Sequence, residues 1–200
     1  MLGVVTLLLL AIALLRPSHQ TSTSAENGPP RNGPPRNDPS RGRPGGGRPA
    51  PAPPASDDPA ALRAARPPIL PDTTMTPGAT LDVTAQDICV PGYSKRVRNV
   101  PSSVKRQAYD EYGIASREPG EYEVDHLISL QLGGSNSIRN LWPQSFRTQP
   151  WNARVKDRLE NELHRLVCAG QLDLATAQEE IAGNWVVSYR KRIGAPPGAN

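Results

Sequence analysis

Asp125 and His126 stand side by side in YEVDHLISLQLGGSNSIRNLWPQ, residues 122–144, and an acid next to an imidazole has hydrolytic uses. Cleaving a phosphodiester needs an activated water, a cation against the developing negative charge, and help for the departing oxygen. An imidazole titrates near neutrality, so a neutral His126 suits the removal of a proton from water. A carboxylate such as Asp125 is a hard ligand for Mg²⁺ or a similar divalent ion, and the amide oxygen of Asn152 suits the same ion. Asn140 is of the type that fastens a loop by bonding backbone groups, which here would orient His126. Lys156, one helical turn past Asn152, would face the same place and contact phosphate. Arg139 and Arg154, with Arg147 and Arg158 close by in sequence, are further candidate phosphate contacts.

Each of these residues also has a plain structural use. Asp125 and His126 could end a strand, Asn140 could sit in a turn, Asn152 could cap a helix, and Lys156 could lie on a solvated face. His164 falls about 120° around the helix from Asn152, at roughly 100° per residue, and reads as a structural residue beside the apolar stripe.

The elements that must position these side chains follow from periodicity. Val124, His126, Ile128, Leu130 and Leu132 recur at every second position, which predicts a strand running through this stretch. Gly133-Gly134-Ser135-Asn136 supplies turn chemistry, and Asn140-Leu141-Trp142 begins a second short strand that Pro143 ends. Past Pro150 the period changes, and Val155, Leu159, Leu163, Leu166 and Val167 form one apolar stripe of a helix. Ser102 to Tyr112 reads as a helix capped by Ser102 and stopped at Gly113, and Asp173 caps a last helix carrying Leu174, Ala177, Ile181 and Trp185.

Strand, turn, strand, helix, with His126, Asn140 and Asn152 at the junctions, resembles the HNH endonuclease family. The match runs from Tyr122 to Lys156 and rests on the DH dipeptide, the GGSN turn, Asn140 and the N-x-x-x-K helix start. The flanks C-V-P-G-Y at 89–93, Y-x-x-Y-G at 109–113 and KDRLENELHRLVCAG at 156–170 are similar to small exported bacterial HNH-like proteins. The resemblance implies a ββα-metal fold, with His126 as general base, Asp125 and Asn152 as metal ligands, Asn140 as the structural asparagine of the catalytic set, and Mg²⁺, or else Mn²⁺ or Zn²⁺, as cofactor. Three features depart from the family pattern. No CxxC pairs flank the hairpin, Ser129 stands where Pro is frequent, and Asn152 rather than His takes the third position after a spacer holding Pro143 and Pro150.

The rest of the chain frames this motif. Leu2 to Leu15 form an apolar run that as a helix would span roughly 21 Å, short of the ~30 Å hydrocarbon core. Residues 1–25 are therefore read as a signal peptide or short membrane segment, with Thr23-Ser24-Ala25 a poor cleavage site and residues 2–15 a possible anchor. Residues 26–72, with GPPRN in tandem at 28–37, are expected to be a disordered Pro/Gly/Arg-rich linker. An HNH-like domain is expected at 73–194 and a flexible tail at 195–200. Of the net charge of +4, residues 1–72 carry eight Arg against five acidic residues, and 73–200 carry fifteen Lys or Arg against fourteen Asp or Glu. The domain thus offers only local basic patches to nucleic acid.

Two cysteines, Cys89 and Cys168, in an exported chain predict a disulfide. The expected fold class is α+β: a hairpin-plus-helix motif surrounded by further helices in one small domain. The expected function is an exported, metal-dependent endonuclease hydrolysing phosphodiester bonds, with DNA the first substrate and no protein partner. The alternative is a non-catalytic exported protein that uses the same scaffold to bind nucleic acid or a wall polymer. A toxin delivered to competitors is a third reading.

Overall fold

The computed structural model describes residues 56–198, so the readings of 1–25 and of 26–55 lie outside the described residues. Six helices and two strands follow in chain order. They are α1 (Pro59–Ala64), α2 (Ala85–Ile88), α3 (Tyr93–Val97), α4 (Ser102–Glu111), β1 (Tyr122–His126), β2 (Leu141–Ser145), α5 (Ala153–Cys168) and α6 (Leu174–Arg192). The class is α+β, helices around one two-stranded antiparallel sheet.

β1 is shorter and β2 longer than their sequence pattern suggests. The two-residue period continues to Leu132, but β1 stops at His126 and Leu130–Leu132 is a 3₁₀ turn. The apolar period there does not mark extended backbone, since Leu127 and Ser129 between the periodic positions are buried as well. β2 runs through Pro143, which pairs with Val124. The bonds Leu127 N to Asn140 O and Phe146 N to Glu121 O place the ladder's hydrogen-bonded pairs at odd positions of β1. Pro143 therefore falls at a non-hydrogen-bonded position, where its missing N–H removes no ladder bond.

The loop between the strands is built around Asn140. Its side chain accepts from Ile128 N (2.9 Å) and donates to Ile128 O (2.9 Å) and Ser135 O (2.9 Å). Gly134 is needed for this closure, because a Cβ there would land on the Ile128 carbonyl and lie 2.9 Å from Asn140 Nδ2.

Of the predicted stripe, α5 buries Val155, Leu159, Leu163 and Val167, while Leu166 is half-buried. It packs on α6, which contributes Ala177, Ile181, Trp185 and Tyr189. Trp151 stands edge-on to Trp185 and Tyr189, with ring centroids 5.7 and 5.6 Å apart. α6 is not the single helix that the sequence suggests. Asn184 has φ −160° and ψ 94°, and its Oδ1 accepts from Val186 N and Val187 N, starting the second half with a cap of its own. At α4 the cap is Pro101, one residue ahead of the expected Ser102. Cys89 and Cys168 are joined in a disulfide, Cα atoms 5.6 Å apart, which ties the end of α2 to the end of α5.

The expected boundary at Thr73 is corrected. Leu62 of α1, Ile69 and Leu70 belong to the same buried cluster as α5 and α6. Trp185 Nε1 donates to Ile69 O at 2.9 Å, and Asn184 Nδ2 donates to Asp57 O at 3.2 Å. Three apolar side chains among prolines show no period, so the segment carries no sequence signal even though it fills the core. At the other end Pro196 is buried, so the fold also reaches past Gly194.

Candidate active site at the hairpin and helix α5

Successive side chains of a strand point to opposite faces, and the register sorts the site accordingly. Glu123 and Asp125 share one face with Trp142 and Gln144, while His126 lies on the other with Val124 and Pro143. Asp125 and His126 therefore do not converge as side chains. They meet only through Lys156 of α5, whose Nζ donates to Asp125 Oδ2 (2.8 Å) and to the backbone oxygen of His126 (2.7 Å). The third partner of that ammonium is Glu160, one turn further along α5.

His126 is 3% exposed. Its Nε2 lies 3.2 Å from Asn136 Oδ1. The Asn136 amide is oriented by two other bonds: Nδ2 donates to Val97 O at 2.8 Å, and Oδ1 accepts from Asn99 N at 3.2 Å. An oxygen so placed only accepts, so Nε2 of His126 bears the ring proton and Nδ1 holds the lone pair. Burial lowers the pKa of His126 and outweighs the opposing pull of Asn136 and Asp125, which favours the neutral ring. Nδ1 makes no hydrogen bond among the described residues and is not one of the buried polar atoms left without a partner.

The other face is acidic. Burial, followed by the charges of Asp125 and Asp157, pushes Glu123 up to about 7. The surrounding protein and the charge of Asp125 raise Asp157, although its side chain still reaches solvent, and burial pushes Glu160 up to about 8 against the pull of Lys156. Lys156 is completely buried, which works against its charge, but Asp125 and Glu160 outweigh that and hold its pKa above the ordinary lysine value. The ammonium stays charged because Asp125 supplies it with an anion whatever the state of Glu160.

Asn152 caps α5, its side chain accepting from Val155 N at 3.2 Å. Lys156, expected to touch phosphate, has no exposed surface, so that role is corrected. Arg139 is exposed on the turn before β2, and Arg154 is exposed at the start of α5 with its guanidinium 5.5 Å from the Phe146 ring. Arg147 lies 3.9 Å from Glu121. Asn136, which in the sequence reads as turn chemistry, also belongs to the site, as does Arg98, whose charge acts on both His126 and Glu123. Glu160 belongs there too, and its spacing of four residues from Lys156 on one helix is the signal for it in the sequence.

The divalent ion implied by the resemblance must be tested against these positions. Its expected carboxylate, Asp125, is held by an ammonium, and its expected amide oxygen, Asn152, accepts from the helix backbone. The residues as placed fit a lysine at Asp125 better than a divalent ion. A second cluster, Cys89, His164 and Cys168, has ligand atoms within 4.8 Å of one another. Its sulfurs are joined to each other, and a disulfide lacks the thiolates that bind metal. His164 there bonds Ile88 O at 3.2 Å, consistent with a structural residue. A cleft of about 560 Å³ beside Tyr112 and Tyr122, lined also by Arg63 and Arg66, contains none of the predicted site residues.

No family model, no curated protein and no solved structure matches the chain. Among the described residues, no helix is long and apolar enough to cross a membrane.

Proposed function

We propose that the chain hydrolyses phosphodiester bonds in nucleic acid, DNA first, as an endonuclease of the HNH kind with His126 as general base. The observation that carries this reading is the Asn136 contact, which leaves a neutral His126 with its lone pair on Nδ1. In the proposed reaction Nδ1 takes a proton from water, the water oxygen attacks phosphorus, and the bond to the 3′ oxygen breaks, that oxygen taking a proton from solvent. By analogy with the family, the products carry a 5′-phosphate and a 3′-hydroxyl. Asn140 positions the loop that holds Asn136. Arg98, Arg139 and Arg154 are the exposed cations available to phosphate. The disulfide suits an oxidising compartment, which makes nucleic acid outside the cytoplasm the matching substrate.

The second reading, a binding scaffold without catalysis, draws on a different observation. The carboxylate expected to hold a metal is already neutralised by Lys156. One assay decides between them. The oxidised chain is given plasmid DNA and structured RNA in Mg²⁺, Mn²⁺, Zn²⁺ or chelator, beside His126→Ala. The nuclease reading expects cleavage that falls by about 10²–10⁴-fold in the variant, with nucleic-acid binding retained. Binding without cleavage under every condition selects the scaffold, and full cleavage by His126→Ala removes this base.

A further inference from the structure

The ammonium of Lys156 has three N–H donors and finds three oxygens: Asp125 Oδ2, His126 O and Glu160 Oε1. Two of these oxygens come from β1 and one from α5, so the lysine joins the hairpin to the helix where their acidic faces meet. It has no exposed surface, and its pairing oxygens belong to side chains only 17% and 11% exposed. Its helix neighbours Val155 and Leu159 are also buried, so the stem of the lysine lies in the core and fixes where its charge can go. A divalent ion bound to Asp125 Oδ2 would lie about 2.0–2.6 Å from that oxygen and would repel an ammonium 2.8 Å from the same atom. The two cations exclude one another there.

We infer that Lys156 is the resident cation of this site, standing in for the divalent ion between β1 and α5. The charge is covalently attached and enters the site when the chain folds. The site therefore needs no metal to neutralise Asp125, and chelators leave it intact. A further consequence, that any cleavage is resistant to chelators, rests on the proposed nuclease reading; the metal-binding statement does not.

The test uses the full oxidised chain and manganese as probe. Mn²⁺ binding is followed by electron paramagnetic resonance and by the thermal midpoint in millimolar Mn²⁺ or in EDTA, for the wild type, Asp125→Asn, Lys156→Met and the double variant Lys156→Met/Asp125→Asn. The wild type is expected to bind no Mn²⁺ in competition with Mg²⁺ and to keep one midpoint in both solutions. Lys156→Met is expected to melt lower in EDTA, to gain Mn²⁺ binding and a Mn²⁺-dependent rise in midpoint, and to lose both in the double variant. A wild-type chain that binds one Mn²⁺ and loses it on Asp125→Asn overturns the inference. Should Lys156→Met fail to fold, the wild type and Asp125→Asn decide it. Because these readouts need no substrate, they settle the role of Lys156 independently of whether the chain cuts nucleic acid.

Discussion

Because the Asn136 nitrogen is committed to Val97 O, its oxygen faces His126 and dictates which ring nitrogen is protonated. Nitrogen NMR of His126 near neutral pH should show the Nε2–H tautomer; the Nδ1–H form would remove the proposed base. The acid side follows from burial, which depresses the pKa of His126 below the ordinary value of about 6.5. If His126 is the base, cleavage should persist to lower pH than a free imidazole would allow. The same shift acts on stability. A depressed folded-state value means that the unfolded chain takes up the proton first, so the contribution of His126 is present above about 6.5 and is lost as pH falls through the folded-state value. Glu123 acts in the opposite sense. Raised to about 7, its contribution is full below the ordinary carboxylate value and is lost as pH rises through about 7. Measuring stability in denaturant across pH 4–8 with and without His126→Ala isolates the first effect. A wild type no more sensitive to acid than His126→Ala would contradict it.

At the scale of elements, the disulfide is the most consequential tie outside the core. It closes a separation of 79 residues, which the chain-entropy model values at about 4–5 kcal/mol, an upper figure because residual structure in the unfolded state reduces it. Reduction, or Cys89→Ser with Cys168→Ser, should lower stability by up to that amount, measured by urea unfolding. Equal stability with and without the bond would count against the ordering of α2 on α5. The helices and the disulfide were legible because their signals are local or compositional: a stripe at helical spacing, an Asn before it, an even cysteine count. The order of β1, loop, β2 and α5 was legible for the same reason. What was not legible depends on partners distant in sequence. Lys156 reads as a solvated charge until β1 brings Asp125 against it, and Asn136 reads as a turn residue until Val97 orients its amide. The end of β1 is not legible because the apolar period runs on to Leu132 although the backbone leaves the strand at His126.

Residues 26–55 contain no Leu, Ile, Val, Phe, Met, Tyr or Trp, so they bring no large apolar side chain to a core. Residues 56–72 differ despite their similar proline content. Leu62, Ile69 and Leu70 are at most 2% exposed, and truncating one such side chain to Ala costs about 2–5 kcal/mol. Losing all three, together with the acceptor of Trp185 Nε1, removes an amount comparable to the roughly 5–15 kcal/mol by which whole domains are stable. Asp57 is tied in twice more, through its carbonyl to Asn184 at the break in α6 and through its carboxylate to Arg190 at 2.8 Å. A chain beginning at Ser56 should therefore melt with the midpoint of the full chain. One beginning at Thr73 should show no cooperative thermal transition and little fixed near-ultraviolet circular dichroism. If the Thr73 chain instead keeps the full-length midpoint, α1 and the Ile69-Leu70 pair are passengers, and the core closes on α5 and α6 alone.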